Sequence, residues 1–201
     1  MNKVVGVLLA GGMARRMGGG DKCLKQLGGR ALLSFSIDGA ASQVGPLIIN
    51  AAGDPARFKE FALPVVADVI DGFAGPLAGV LTGLEWAKAH APDSQWVVTF
   101  PTDAPFFPDD LVVRLLAEID SQGADMACAL SNARTHPVFA AWPVSLAGDL
   151  RRAMEDEEMR KIDLWTARYN IVHVEWPVSP NDPFFNINRV EDLEQAENLL
   201  G

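Results

Sequence analysis

A glycine-rich loop with two well-spaced cationic side chains follows the first apolar run of the chain. The run covers residues 4–10, and the loop contains Gly11, Gly12, Arg16 and Lys22. Backbone N–H groups beside glycines can approach an anion closely, because no Cβ stands in the way. With the guanidinium and the ammonium, these groups form the pattern of a phosphate-binding loop. Neither the Gly-Lys-Ser/Thr of a Walker A loop nor a GxGxxG fingerprint is present.

Three further polar side chains come at the ends of later apolar runs, namely Asn50, Asp68 and Asp103. The carboxyl ends of parallel strands meet at one edge of an open sheet, where ligands bind. We therefore expect these side chains to lie near the loop. Asp103 is a candidate Mg²⁺ ligand, since Mg²⁺ takes one or two carboxylates together with substrate phosphates. Each of the three could instead cap a turn, a common role of Asp and Asn.

The hydrophobic pattern alternates between short apolar runs, typical of buried strands, and segments of helical period. The predicted strands cover residues 4–10, 47–51, 64–67, 95–100, 125–130, 137–142 and 170–176. The predicted helices cover residues 31–44, 76–89, 108–119, 146–154 and 188–200, the last with a capping box of Asn188 and Glu191. Such alternation predicts the α/β class: three layers, a mainly parallel twisted sheet and helices on both faces. Two adjacent strands after residue 124 predict a small antiparallel excursion.

Length and charge exclude several classes of protein. The chain has 201 residues, which fits a single domain, and a net charge of −9, which argues against binding nucleic acid or anionic membrane. No run approaches about 18 apolar residues, the length of a membrane span. Two distant cysteines predict neither a disulfide framework nor a zinc site, so we expect a cytoplasmic protein. Residues 1–30 hold six basic residues and one acidic residue, a net +5, which places the expected anion site near that end.

The motifs together resemble a known enzyme family. Leu9-Ala10-Gly11-Gly12-x-x-x-Arg16-Met17-Gly18-x-x-x-Lys22 is similar to the signature of sugar-nucleotide pyrophosphorylase-type nucleotidyltransferases. Gly75-Pro76-Leu77-Ala78-Gly79 resembles their PLAG element, and Pro101-Thr102-Asp103-Ala104-Pro105 resembles their aspartate-bearing loop. Phe185-Asn186-Ile187-Asn188 resembles a C-terminal Asn-x-Asn motif. In combination they most resemble the molybdenum cofactor guanylyltransferases, the MobA family.

The resemblance implies a Rossmann-like nucleotidyltransferase fold and transfer of GMP from GTP to the terminal phosphate of molybdopterin, with release of pyrophosphate. For this reaction we expect catalysis by Lys22, Arg16 and Asp103, with Mg²⁺ held by Asp103. The strand–helix alternation weakens after about residue 124, so we expect one domain with a GTP-binding half (about 1–123) and a molybdopterin-binding half (about 124–201). Molybdenum insertase and apo-molybdoenzymes are the expected protein partners. The implied molybdopterin contacts are Asn186 and Asn188, and the implied GTP contacts are Leu9, Ala10, Gly11, Gly12, Arg16, Lys22, Asn50, Asp68, Gly75, Gly79 and Asp103.

Other functions stay open at this point. A cytidylyltransferase would tend to carry Leu-Ala-Ala-Gly where this chain has Leu-Ala-Gly-Gly at residues 9–12. A sugar-1-phosphate nucleotidyltransferase often has added C-terminal domains, and a non-catalytic nucleotide carrier could dispense with Lys22 and Asp103. We expect His136 to be a hydrogen-bonded structural residue, with contact to the acceptor as the alternative. We expect Cys23 to have no role, because phosphate transfer needs no thiol.

Overall fold

A twisted seven-stranded sheet forms the centre of the molecule in the computed structural model, which describes residues 3–12, 17–72 and 75–200. The strands are β1 (Val4–Leu9), β2 (Gln26–Leu27), β3 (Arg30–Ala31), β4 (Leu47–Asn50), β5 (Val65–Val66), β6 (Trp96–Pro101), β7 (Met126–Ser131), β8 (Arg134–Pro143) and β9 (Ile171–Glu175). The large sheet has the order β5-β4-β1-β6-β8-β7-β9, and β2 pairs with β3 in a separate small hairpin.

The sheet is mainly parallel, as the sequence predicts. Strand β1 pairs in parallel with β4 and β6, β4 with β5, and β7 with β9. Only β8 runs antiparallel in the large sheet, against both β6 and β7, so the antiparallel excursion after residue 124 is confirmed. Because β8 is reversed, β6 and β7 are parallel to each other, and their carboxyl ends lie at the same edge.

Helices cover both faces of the sheet, which confirms the three-layer α/β prediction. The core on one face includes residues of α1 and α3, and the core on the other includes residues of α2, α4 and α5. The strands contribute apolar side chains to both cores. This explains the continuous apolar runs of the central strands. The helices are α1 (Leu32–Ala41), α2 (Pro76–His90), α3 (Leu111–Gln122), α4 (Ala147–Asp156), α5 (Ile162–Thr166) and α6 (Val190–Leu199).

The predicted cap of the last helix is wrong. Helix α6 begins at Val190 with Arg189 as its N-cap, and Asp192 rather than Glu191 reaches back. The Asp192 Oδ2 atom accepts hydrogen bonds from the backbone N–H groups of Asn188 and Arg189, at 2.7 and 2.9 Å. The Asn188 side chain is engaged elsewhere, so it does not cap the helix. Within the described residues, no helix has the length and apolar character needed to cross a membrane.

Candidate active site

Lys22 joins three segments that are distant in sequence. Its backbone N–H donates to the carbonyl oxygen of Gly12 at 3.0 Å, which joins Gly12 to the 3₁₀ turn that begins at Lys22. Its Nζ atom lies 2.7 Å from Oδ2 of Asp103 and 2.6 Å from Oδ1 of Asn188. The structure therefore brings the loop, the aspartate-bearing motif and the Asn-x-Asn motif together around one ammonium group. Arg16 lies outside the described residues.

Asp103 is positioned by the two segments on either side of it. It follows β6, and the preceding Thr102 donates its hydroxyl to the carbonyl oxygen of Leu9 at 3.1 Å. The Asp103 carbonyl accepts a hydrogen bond of 2.7 Å from the backbone N–H of Ile187, between the two asparagines of the Asn-x-Asn motif. These bonds fix the ends of β1 and β6 side by side and attach the later motif to them, so Asp103 and Asn188 both reach Lys22.

Asn50 and Asp68 form a second polar group at the same edge of the sheet. The Asn50 Nδ2 atom donates to the carbonyl oxygen of Val66 at 3.2 Å and to Oδ1 of Asp68 at 2.8 Å. Asn50 is buried, and its backbone carbonyl accepts from the N–H of Ala10 at 2.9 Å. The amide group of Asn50 thus holds the half-buried Asp68 carboxylate through Oδ1, and no hydrogen bond among the described residues uses Oδ2.

The glycines of the site have different surroundings. Gly11 is exposed, and a Cβ added there would have no atom within 4 Å. Gly75 is the N-cap of α2 with a φ of 73°, a left-handed conformation that favours glycine. Gly79 is buried in the first turns of α2, where a Cβ would lie 2.5 Å from Oδ1 of Asn50 and 2.5 Å from Cδ2 of Leu9. Gly79 therefore allows helix α2 to pack directly against Asn50.

A cavity of about 360 Å³ adjoins the Lys22 cluster on the side of the C-terminal segment. It contains both asparagines predicted to contact the acceptor, and Asn188 is shared with the Lys22 cluster. The residues that line the cavity are Arg134, His136, Asp182, Phe184, Phe185, Asn186, Asn188, Arg189 and Asp192.

A chain of hydrogen bonds joins two residues of the cavity wall, His136 and Asp182, through the buried Ser131. The Ser131 hydroxyl lies 2.9 Å from Oδ1 of Asp182 and 2.8 Å from Nε2 of His136. An ionised carboxylate only accepts, so Ser131 donates to Asp182 and accepts from the His136 Nε2–H. Burial lowers the pKa of His136, although the negative charge of Asp182 acts in the opposite direction. His136 is thus hydrogen-bonded, as expected, and it also lines the cavity.

Sequence reasoning missed Ser131 and Asp182. Ser131 ends β7, at the same edge of the sheet as Asp103, and its position at a strand end could have identified it from the sequence.

Sequence reasoning also missed Arg57, whose Nε atom lies 2.8 Å from Oδ2 of Asp21. The Arg57 guanidinium further donates to the carbonyl oxygens of Ala52 and Asp54. This arrangement ties the residue before Lys22 to the segment after β4.

Cys23 lies directly after Lys22, but its thiol faces the core. The side chain is 1% exposed, and burial raises the pKa of the thiol to about 12. The thiol is therefore protonated at neutral pH, and a protonated thiol is a poor nucleophile. This agrees with the expectation that Cys23 has no part in the chemistry.

Asp103 fits the requirements of a Mg²⁺ ligand that works together with substrate phosphates. The described residues contain no group of three or more His, Cys, Asp or Glu side chains that could enclose a metal ion by themselves. Mg²⁺ in phosphate-transfer sites characteristically has one or two carboxylates and completes its shell with phosphate oxygens and water. The Asp103 side chain is 32% exposed, so one carboxylate is within reach of such an ion.

Residues 6–169 match the sequence family described as the MobA-like NTP transferase domain. This chain belongs to that family. Over 194 residues, it is 57% identical to the molybdenum cofactor guanylyltransferase of Rhodopseudomonas palustris strain BisB5, with 96% of this chain and 92% of that protein covered. It is 46% identical over 200 residues to the enzyme of the same name from Mesorhizobium japonicum, covering 98% and 96% of the two chains.

Solved structures place this MobA-like chain among nucleotidyltransferases by fold. The molybdopterin-guanine dinucleotide biosynthesis protein A of Archaeoglobus fulgidus superposes with a TM-score of 0.73 at 24% identity, with 98% of each chain covered. A CMP:2-keto-3-deoxy-manno-octonic acid synthetase complexed with CTP superposes with a TM-score of 0.74 at 14% identity and the same coverage. This chain therefore shares its fold with a synthetase that was solved with CTP bound.

Proposed function

We propose that this nucleotidyltransferase transfers GMP from GTP to the terminal phosphate of molybdopterin and releases pyrophosphate. Two observations support the proposal. Relatives with the guanylyltransferase name match almost the whole chain. The contact of the Lys22 Nζ atom with both Asp103 and Asn188 joins the predicted nucleotide site to the predicted acceptor site. This contact is the single observation that carries the mechanism.

Lys22 would stabilise the charge that develops during transfer. The acceptor phosphate is already an anion, so it needs an in-line approach to the α-phosphorus of GTP rather than a strong general base. A lysine ammonium is a compact charge suited to phosphate oxygens. The Lys22 ammonium can shift from Asp103 and Asn188 onto the two substrates, because it sits between their sites. Arg16 is the proposed second cation, from within the same loop.

Asp103 is the proposed ligand of Mg²⁺, in company with phosphate oxygens. A bound Mg²⁺ would neutralise charge on the triphosphate and orient the pyrophosphate leaving group. Asp103 would hold the ion once Lys22 contacts a phosphate, because its carboxylate would then have given up its present partner. The hydrogen bond from Ile187 N–H to the Asp103 carbonyl keeps the residue in place during this exchange.

Asp68 is the residue proposed to recognise the guanine base. Guanine presents a ring N–H and an amino group on adjacent atoms, and both can donate to a carboxylate. Asn50 already donates to Oδ1 of Asp68 at 2.8 Å, which orients the carboxylate in advance. Such preorganisation increases specificity because little side-chain freedom is lost on binding. Gly79 contributes indirectly by leaving room for Asn50.

The remaining expectations depend on the cellular role of the product. The finished cofactor has to contain molybdenum and has to reach an apo-enzyme. A molybdenum insertase and apo-molybdoenzymes are therefore the proposed protein partners, and the cytoplasm, where GTP is abundant, is the proposed location.

The decisive experiment incubates the protein with molybdopterin, Mg²⁺ and α-³²P-labelled GTP or CTP in parallel. We expect label from GTP to appear in a molybdopterin dinucleotide, with one pyrophosphate released for each transfer and little product from CTP. Product from CTP only would instead identify a cytidylyltransferase. GTP binding with no product from either nucleotide would indicate a nucleotide carrier without catalysis.

A further inference from the structure

The cavity beside Lys22 contains a carboxylate, Asp182, that the proposed mechanism does not use. The cavity measures about 360 Å³, within the range of small-molecule sites. It shares Asn188 with the Lys22 cluster. A ligand whose phosphate meets Lys22 could therefore extend past Asn188 into this cavity.

Asp182 is held through only one of its two oxygens. Its Oδ1 atom accepts from the Ser131 hydroxyl at 2.9 Å and from the backbone N–H of Phe184 at 2.9 Å. None of the hydrogen bonds among the described residues uses Oδ2. Asp182 lines the cavity and is half-buried, so a carboxylate oxygen is presented to a ligand in a fixed orientation.

The surroundings of Ser131 make this orientation rigid. Ser131 is fully buried, and its hydroxyl accepts from His136, whose ring packs on Phe184 with 4.7 Å between the ring centroids. Phe184 is itself buried, whereas Phe185 is half-buried and lines the cavity as apolar surface. The cavity thus combines an aromatic side chain with the Asp182 carboxylate, whose orientation is fixed by the buried Ser131, and this combination suits a flat, polar heterocycle.

We infer that Asp182 selects the acceptor by recognising its pterin ring. The pyrimidine part of a pterin carries an amino group next to a ring N–H, and both groups can donate to a carboxylate. Buried hydrogen-bonding groups discriminate strongly, because an analogue that lacks the partner leaves them unpaired. This inference rests on the proposed function, since molybdopterin is the substrate that brings a pterin to Lys22.

The test compares pterin with lumazine, which carries a carbonyl in place of the amino group. Binding of each ring is followed by its own fluorescence, so the measurement does not depend on transfer. We expect the wild-type protein to bind pterin at least about tenfold more tightly than lumazine. Asp182→Asn should abolish this preference and raise the KM for molybdopterin about tenfold, with kcat and the KM for GTP changed less than about twofold.

Two further variants test the positioning role of Ser131 and provide a control for the loss of a negative charge. Ser131→Ala removes one of the two donors to Asp182 and should reduce the preference for pterin by about threefold. Asp120→Asn removes a charge on the exposed face of α3 and should leave binding of both rings unchanged.

An Asp182→Asn protein that still prefers pterin as the wild type does would overturn the inference, and so would a wild-type protein that binds the two rings equally. These outcomes are distinct from failure of the proposed function. That failure would appear as absence of transfer to molybdopterin by the wild-type protein, whatever its preference between the two rings. If Asp182→Asn does not fold, the Ser131→Ala variant provides the same comparison.

Discussion

Two half-buried carboxylates, Asp68 and Asp182, come after the two edge strands of the large sheet, β5 and β9. Each follows a strand of the sheet, and each has one oxygen held by a polar side chain, Asn50 at 2.8 Å or Ser131 at 2.9 Å. The proposed ligands correspond as well, because guanine and pterin share an amino-substituted pyrimidine ring with an adjacent N–H. The proposed assignments thus give the two carboxylates the same role, each toward one of the two substrates proposed to meet at Lys22.

The two sites differ in how the sheet builds them. Asn50 ends β4, Asp68 follows the neighbouring parallel strand β5, and the two residues lie 18 positions apart. Ser131 and Asp182 lie 51 residues apart, and β8 runs in the reverse direction next to β7. The first site follows from simple strand order, whereas the second requires a long connection after β9. Variants can show whether the two carboxylates act independently on their two substrates.

Lys22 contacts both Asp103 and Asn188 and so lies between the two proposed substrate sites, and its loss should have the largest effect. We expect Lys22→Ala to lower kcat by about 10²- to 10³-fold, since it removes charge stabilisation in the transition state. The Kd for GTP, measured by calorimetry, should change only a few-fold. Lys88→Ala, an exposed charge at the end of α2, is the control. Unchanged turnover in the Lys22 variant would remove this residue from the mechanism.

Asp103 is tested through its metal dependence. In Asp103→Asn, we expect activity to fall about 100-fold and the Mg²⁺ concentration for half-maximal activity to rise, because a neutral amide is a weaker ligand for Mg²⁺. A Mg²⁺ titration of initial rates measures both quantities. Wild-type metal dependence in this variant would place the ligand elsewhere.

The Asp68→Asn variant should affect only the nucleotide half. Inosine triphosphate lacks the amino group of guanine, so the wild-type protein should prefer GTP over it by roughly tenfold. Asp68→Asn should remove that preference and leave the KM for molybdopterin unchanged, the reverse of the pattern expected for Asp182→Asn. If either variant changed the KM for GTP and the KM for molybdopterin together, the two carboxylates would not recognise their substrates independently.

Gly79 should give the smallest change, because it acts through Asn50. An alanine Cβ at this position would lie 2.5 Å from Oδ1 of Asn50, and at Gly83 on the same helix it would lie 2.5 Å from Cγ2 of Val7. Overpacking of this kind costs about 1–3 kcal/mol of stability, which urea unfolding of Gly79→Ala and Gly83→Ala would measure. Only Gly79→Ala should also weaken GTP binding, by a few-fold. Equal GTP affinity in the two variants would contradict a positioning role for Gly79.

The sequence predicts the first half of the site better than the second. Asn50, Asp68 and Asp103 end or follow parallel strands, and strand order alone brings them to one edge of the sheet. Asn186 and Asn188 could be placed only through a motif, and Ser131 and Asp182 were not paired, because no local pattern encodes a contact across 51 residues. The capping error at α6 has the same origin, since the tertiary contact between Lys22 and Asn188 determines where that side chain points.

A crystal structure with GTP, Mg²⁺ and pterin bound would test the central claim most directly. We predict the guanine within hydrogen-bonding distance of Asp68, the triphosphate against Lys22 and the pterin ring against Asp182. Because the two rings present the same donor groups, the opposite placement is chemically possible. Guanine in the cavity lined by Asp182, with the pterin beside Asp68, would contradict the assignment of the two halves.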